Sequence, residues 1–92
     1  MLSVEPLDLS KIDPKNIDRE ILRLGMIAEL DATSLYEQLA AMTKSSRIKN
    51  ILLDIAKEEK THTGEFQALL LEIDKEQAEE NIAGAKEVKE KA

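Results

Sequence analysis

Residues 48–73 decide the fold, and they read IKNILLDIAKEEKTHTGEFQALLLEI. One stripe of positions in this stretch recurs at alternating steps of four and three residues, which predicts an amphipathic helix that packs along one seam. The seam consists of Ile48, Leu52, Ile55, Glu59, His62, Phe66, Leu69 and Ile73. Glu59 and His62 are adjacent in this seam, and residues at i and i+3 share one face of a helix. We therefore expect a carboxylate and an imidazole to point together into the interior.

A second amphipathic pattern precedes this one and predicts a helix over residues 14–42. Its apolar residues also recur at three- and four-residue steps, and Asp13 with Pro14 is typical of a helix start. The apolar sector is wider than one neighbouring helix requires, so it indicates either a broad core face or a second partner in another subunit. Residues 43–46 form a short polar break, with Ser45 or Ser46 as the cap of the next helix. A connection this short favours an antiparallel helical hairpin.

The chain is thus divided into three parts: an N-terminal arm (1–13), a helical hairpin (14–73) and a short C-terminal helix or linker (74–92). Asp74 can cap the last helix, with Gln77 completing a capping-box pattern. No segment shows the alternation of a β-strand, and the predicted fold class is all-α.

Composition excludes several classes of function. The chain has 92 residues with 13 basic and 19 acidic side chains, a net charge of −6 that argues against a nucleic-acid partner. It contains no cysteine, which excludes a disulfide scaffold and a thiolate metal site. Neither a signal peptide nor a membrane-spanning run is recognisable, so we expect a soluble cytoplasmic domain and no membrane contact. A chain this small buries a limited core, which favours assembly with copies of itself.

The two polar residues in the seam require compensation, because burial of an unpaired carboxylate costs several kcal/mol. A metal ion accepts carboxylate oxygens and a neutral imidazole together, whereas a buried hydrogen bond or ion pair is the alternative. Glu29 is a third candidate ligand, since it lies on one ridge of the first helix with Tyr36. Di-iron carboxylate bundles use one Glu from each of two helices and a Glu-x-x-His from each of two others. This chain holds half of that set, and two copies related by a two-fold axis would complete it.

Residues 20–73 resemble the encapsulated ferritins, the ferritin-like proteins packaged inside encapsulin nanocompartments. The matching stretches are AELDA at 28–32, YEQ at 36–38 and EEKTH at 58–62. The resemblance implies a half-ferritin that dimerises into a ferritin-like four-helix bundle and assembles further into a ring, typically a decamer. It also implies a ferroxidase with two Fe per dimer, which oxidises Fe(II) and delivers Fe(III) for mineralisation and iron storage inside the encapsulin shell.

The same resemblance assigns roles to individual residues. Glu29, Glu59 and His62 fall on the iron ligands. Asp31 matches an acidic position where metal enters, and Tyr36 matches a tyrosine beside the di-iron centre. Some relatives have a second acidic residue and a Trp where this chain has Ala28 and Leu35. The last residues, EVKEKA at 87–92, do not resemble a cargo-targeting peptide, so the chain is expected to be truncated or to be the N-terminal module of a ferritin–shell fusion.

Three other interpretations remain open. A rubrerythrin-like peroxidase is also a di-iron enzyme, although rubrerythrins usually have four helices in one chain and often a cysteine-ligated iron. A metal-free helical oligomerisation module would use Glu59 and His62 as a hydrogen-bonded pair. A binuclear site for manganese or zinc has the same types of ligand.

Overall fold

The structure, a computed structural model, describes residues 9–11 and 13–91 and contains three α-helices. Short 3-10 turns over Leu9–Lys11 and Pro14–Asn16 precede α1 (Ile17–Met42), α2 (Ser46–Ile73) and α3 (Lys75–Glu90). The described part of the chain contains no β-strand, so the predicted all-α class is confirmed. Most of the predicted N-terminal arm, residues 1–8 and 12, lies outside the described residues.

Local capping explains where the two long helices begin. The Asp13 side chain accepts a hydrogen bond from the backbone N–H of Lys15 at 2.9 Å, and Pro14 occupies the first position of the 3-10 turn that leads into α1. The predicted helix over 14–42 therefore starts as a 3-10 turn and becomes α-helical at Ile17. Ser45 caps α2, accepting from the N–H of Ile48 at 3.2 Å. The short connection returns α2 antiparallel along α1, as the sequence predicts.

The corner between α2 and α3 forms only half of the predicted capping box. The Asp74 side chain accepts from the backbone N–H of Gln77 at 3.0 Å. The reciprocal bond, from the backbone N–H of Asp74 to the Gln77 side chain, does not form, and the Gln77 amide nitrogen donates to Asn81 at 2.7 Å. The backbone N–H of Asp74 donates to the carbonyl of Leu70 at 2.9 Å and still belongs to the α2 hydrogen-bond ladder. One side-chain cap therefore begins α3.

Asp74 also connects this corner to the start of α1. Its Oδ2 lies 3.4 Å from Nη2 of Arg23 and 3.8 Å from Nη1 of Arg19, and Asp74 is buried. Arg23 in turn donates to the buried carboxylate of Glu20 at 2.8 Å. Since a buried carboxylate requires partners, these arginines satisfy both acidic groups. The network fixes the position of α3 relative to the hairpin.

The hydrophobic core of a single chain is thin. Among the described residues, only Ala40, Ala56 and Leu70 are buried apolar residues, and no large side chain is fully buried. The large apolar side chains that remain exposed are Ile21, Leu30, Leu39, Met42, Ile48, Ile51, Leu53, Leu69, Ile73, Ile82 and Val88. The molecule is correspondingly flat, with extents of 47 × 40 × 19 Å. Packing against α2 alone does not cover the wide apolar sector of α1, and exposed apolar area on this scale is typical of an interaction surface.

One close approach between the helices depends on glycine. A Cβ built on Gly25 of α1 would lie 2.8 Å from the Phe66 ring of α2. No atom lies within 4 Å of the corresponding position at Gly64. Gly25 thus allows the Phe66 ring to pack directly against the backbone of α1.

Candidate metal centre

Three side chains of metal-ligand type meet halfway along the hairpin. Glu29 comes from α1, and Glu59 and His62 come from adjacent turns of α2. Nδ1 of His62 lies 3.5 Å from Oε2 of Glu29 and 3.7 Å from Oε2 of Glu59. One ligand atom from each residue lies within 4.8 Å of the other two. The sequence predicted that Glu59 and His62 share one face of the second helix and that Glu29 turns inward from the first, and the structure brings the three side chains together.

The Glu29 carboxylate has an unsatisfied oxygen. Its Oε2 is shielded from solvent and has no hydrogen-bond partner in the described part of the chain. An unsatisfied buried acceptor costs about 1–3 kcal/mol, more when it is charged. The Glu29 and Glu59 side chains are 20% and 19% exposed, whereas His62 is 45% exposed. The site therefore has two half-buried carboxylates and a more exposed imidazole.

The donor set fits a divalent cation. Carboxylate oxygens and imidazole nitrogens bind such ions at about 2.0–2.2 Å, so donors to one shared ion lie no more than about 4 Å apart. The two distances from His62 fall in that range, and Oε2 of Glu29 has no hydrogen-bond partner among the described residues. The described part of a single chain nevertheless brings only three such side chains together, which leaves coordination positions open on a six-coordinate cation.

Two threonines support the turns that carry the glutamates. The Thr33 hydroxyl donates to the backbone carbonyl of Glu29 at 2.9 Å, and the Thr63 hydroxyl donates to that of Glu59 at 3.1 Å. Each threonine lies four residues after its glutamate, where a hydroxyl reaches back to that carbonyl. The sequence analysis did not single them out for this role, although the i+4 spacing after each glutamate was the available signal.

Two other predicted site residues lie apart from this cluster. Tyr36 is half-buried and lies two helical turns beyond Glu29, an axial rise of about 10 Å. Asp31 is half-buried and lies about 200° around α1 from Glu29, so it is not in the group of three. Glu37 instead makes an exposed ion pair with Lys60 at 2.9 Å.

In the part of the chain that the structure describes, no helix has the length and apolar character needed to cross a membrane. A family model for rubrerythrin matches residues 20–92, and the chain therefore belongs to this ferritin-like family. Its similarity to encapsulated ferritins, which the sequence indicated, is confirmed by the following relatives.

The chain is 50% identical over 92 residues to a ferritin-like–encapsulin shell fusion protein of Pyrococcus furiosus. It is 38% identical over 85 residues to the encapsulin nanocompartment cargo protein EncC of Myxococcus xanthus. These matches cover 98% and 89% of this chain but only 27% and 62% of the two relatives. The crystal structure of the encapsulated ferritin domain from P. furiosus superposes with a TM-score of 0.83 at 50% identity, covering 98% of this chain and 94% of that one.

Proposed function

We propose that two copies of this chain build a di-iron ferroxidase centre at their interface, with Glu29, Glu59 and His62 of each copy as the ligands. The observation that carries the proposal is the buried Oε2 of Glu29, which has no hydrogen-bond partner among the described residues and lies 3.5 Å from Nδ1 of His62. Two such sets give four carboxylates and two imidazoles, the ligand set of a di-iron carboxylate bundle.

The seam of α2 has a symmetry that supports a two-fold axis through this site. Counted outward from the midpoint between residues 60 and 61, Glu59 corresponds to His62, Ile55 to Phe66, Leu52 to Leu69 and Ile48 to Ile73. The seam therefore has the same order of polar and apolar positions when read from either end of α2. In an antiparallel pair of α2 helices, each apolar seam residue would face an apolar residue of the other copy. Glu29 lies at the middle of α1, so one axis perpendicular to both helices passes near all three ligands. A C2 dimer needs such a self-complementary surface.

Glu59 of each copy would be the candidate bridging carboxylate, Glu29 of each copy would add a further carboxylate, and His62 of each copy would supply one nitrogen. Carboxylate oxygens are hard ligands that favour Fe(III) over Fe(II), which makes Fe(II) at this site easier to oxidise. The His62 side chain is 45% exposed in a single chain, so a second copy can supply the remaining ligands at this face.

The proposed reaction has Fe(II) and dioxygen as substrates. Two Fe(II) ions lose one electron each, and O2 takes both electrons and two protons to give hydrogen peroxide. The chain's own residues contribute the negative charge that favours the trivalent product and hold the two ions close enough for a two-electron reduction. The hairpin is flat, with a shortest extent of 19 Å. The Fe(III) is therefore passed on to a surrounding encapsulin shell, in keeping with the shell-fusion and cargo relatives.

Oxygen uptake tests this activity. Addition of anaerobically loaded Fe(II) protein to air-saturated buffer is expected to consume one O2 for every two Fe(II). Glu59→Gln should abolish this uptake, while Glu37→Gln, an exposed carboxylate elsewhere on the hairpin, should leave it unchanged. Equal uptake by the wild type and Glu59→Gln would show that oxidation occurs in solution and not at this site.

The rubrerythrin family model favours a second candidate, a di-iron peroxidase at the same ligands. In that reaction two Fe(II) ions reduce one hydrogen peroxide, with two protons, to two molecules of water. The two candidates differ only in the oxidant. Stopped-flow oxidation of the Fe(II) protein by O2 and by H2O2 at equal concentrations distinguishes them, and a rate with H2O2 about 100-fold above that with O2 would favour the peroxidase.

Asp31 and Tyr36 keep accessory roles in this proposal. Asp31 is an acidic position on the path of metal into the site, so Asp31→Asn should slow Fe(II) uptake without changing the iron count at equilibrium. Tyr36 lies two turns along α1 from Glu29 and acts as an electron donor over that distance, so Tyr36→Phe should slow oxidation and leave iron binding unchanged. A lower iron count in either variant would show that the residue is a ligand or a structural support instead.

A further inference from the structure

A groove of about 360 Å³ lies where α3 borders the hairpin. All three helices contribute to its walls, and its lining includes Arg23, Met26, Leu30, Gln67, Leu71 and Gln77. Met26 is half-buried, so its side chain is neither sealed in the core nor fully in solvent. The proposed metal centre uses none of these lining residues, and the thioether of Met26 is the oxidisable group among them.

Met26 lies next to the metal centre along α1. It precedes Glu29 by three residues, an axial rise of about 4.5 Å, and residues at this spacing have Cβ atoms about 5–6 Å apart. The other methionine in the described part of the chain is Met42, which follows Glu29 by 13 residues, or about 20 Å along the helix. Met42 is 76% exposed. The chain thus has a half-buried thioether beside the centre and an exposed thioether far from it.

We propose that Met26 is a site of self-oxidation, where hydrogen peroxide formed at the metal centre is intercepted before it reaches solvent. This inference rests on the proposed function, since that reaction supplies the peroxide. The sulfur of Met26 forms a bond to one oxygen of H2O2, the O–O bond breaks, and the other oxygen leaves as water with both protons. One thioether and one peroxide thus give one sulfoxide and one water, and no further oxidant is required.

The groove can accept the oxidised side chain. A methionine sulfoxide carries a polar oxygen, which disrupts a sealed apolar core because it has no hydrogen-bond donor there. Beside Met26 the groove provides space, and Arg23 and Gln67 line it with N–H donors. The guanidinium of Arg23 has N–H groups beyond those that bond to Glu20 and Asp74. Oxidation of Met26 is therefore expected to leave the helical fold intact.

Peptide mass spectrometry tests the proposal directly. Protein loaded anaerobically with Fe(II) is exposed to air in the presence of catalase, which destroys peroxide in solution, and the sulfoxide at each methionine is then measured. We expect at least about five times more sulfoxide at Met26 than at Met42, because local capture precedes escape into solution. Metal-free protein treated with added H2O2 should show the reverse order, since Met42 is the more exposed. Equal oxidation of the two methionines in air, or full protection of Met26 by catalase, would overturn the proposal.

Peroxide release provides a second test with a matched pair of variants. Met26→Leu keeps an apolar side chain of similar volume, so iron binding and O2 uptake should be unchanged. Free H2O2 after the first addition of Fe(II) should be about twofold above that of the wild type, and the difference should disappear over later additions because each thioether reacts once. Met42→Leu should match the wild type throughout. Equal release by all three proteins on the first addition would overturn the proposal.

The two tests also separate this inference from the proposed function. If O2 uptake depends on Glu59 but Met26 is not oxidised in preference to Met42, only the role of Met26 is wrong. If the wild type and Glu59→Gln take up O2 equally, the metal centre does not produce the peroxide, and both the proposed function and this inference fail.

Discussion

Replacement of Glu29 by glutamine should change stability in opposite directions without and with metal. The substitution keeps the shape of the side chain, removes one negative charge and adds an N–H donor. It acts at the carboxylate whose Oε2 is buried without a hydrogen-bond partner among the described residues, within 4.8 Å of a ligand atom of Glu59. The metal-free protein should therefore become more stable, and the metal-loaded protein should lose most of its added stability.

The expected rise in stability of the metal-free Glu29→Gln protein has two contributions. Two carboxylates 4.8 Å apart repel each other by about 3–4 kcal/mol at an effective dielectric constant of 20, an upper bound because both side chains retain some contact with water. An unsatisfied buried oxygen costs a further ~1–3 kcal/mol. After discounting for solvent screening, we expect Glu29→Gln to raise the free energy of unfolding by about 1 kcal/mol. For a domain of this size, that corresponds to a rise in Tm of about 4–8 °C.

The expected loss of metal-induced stability follows from the coupling between metal binding and folding. A ligand that binds only the folded state at 100 times its Kd stabilises that state by about 2.7 kcal/mol. Disruption of a supporting contact to a ligand already lowers metal affinity by about 10–100-fold, so loss of a ligand should lower it by at least ~100-fold. At the same metal concentration, the stabilisation of Glu29→Gln would then fall to about 0.4 kcal/mol.

Thermal unfolding by circular dichroism, in EDTA and in anaerobic Fe(II) at fixed protein concentration, measures both effects. Glu37→Gln is the matched control, since it is the same substitution on the same helix at an exposed ion pair with Lys60. Its metal-induced shift should equal that of the wild type. The reasoning is refuted if Glu29→Gln destabilises the metal-free protein and leaves the metal-induced shift intact, because Glu29 would then be a structural partner of His62.

Two further predictions concern the scaffold. Gly64→Ala should stabilise the protein by about 0.5–1 kcal/mol, because alanine has the higher helix propensity. Gly25→Ala should destabilise the protein by about 1 kcal/mol, because the new methyl group would lie 2.8 Å from the Phe66 ring. Equal shifts in Tm for the two variants would contradict the close packing of Gly25 against Phe66. Asp74→Ala should lower the free energy of unfolding by about 2–4 kcal/mol, because it removes the α3 cap and leaves Arg23 without one partner. Hydrogen exchange should show that amide protection is lost in α3 first. Uniform loss of protection across all three helices would contradict this prediction.

The positions of α1 and α2 were predictable because the apolar residues of each helix recur every three or four positions in the sequence. The four-and-three step places Glu59 and His62 on one face whatever the partner helix is, and the polar break at 43–46 contains Ser45, the observed cap. The ridge through Glu29 predicted its inward direction for the same reason. The symmetry of the α2 seam was also visible in the sequence. It indicates a two-fold axis only once the structure places the three ligand residues at the middle of both helices.

The Asp74 cap of α3 was predictable, but the ion pairs that hold this corner to α1 were not, since they join residues far apart in the chain. Asp74 pairs with Arg23, 51 residues away, and no periodic pattern indicates that partner. The capping-box pattern predicted that the Gln77 side chain accepts from the backbone N–H of Asp74, but that N–H donates to the carbonyl of Leu70 and continues the α2 ladder. The close contact of Gly25 with Phe66 likewise depends on the registration of α1 against α2, which a single sequence does not specify.

An anaerobic Fe(II) titration, with tightly bound iron counted per chain, tests the central claim most directly. We predict one iron per chain, abolished by His62→Ala, because two chains then share two ions. Two tightly bound irons per chain would contradict the shared centre by showing that each chain builds its own. No tight binding would make Glu29, Glu59 and His62 structural and the protein a helical assembly module.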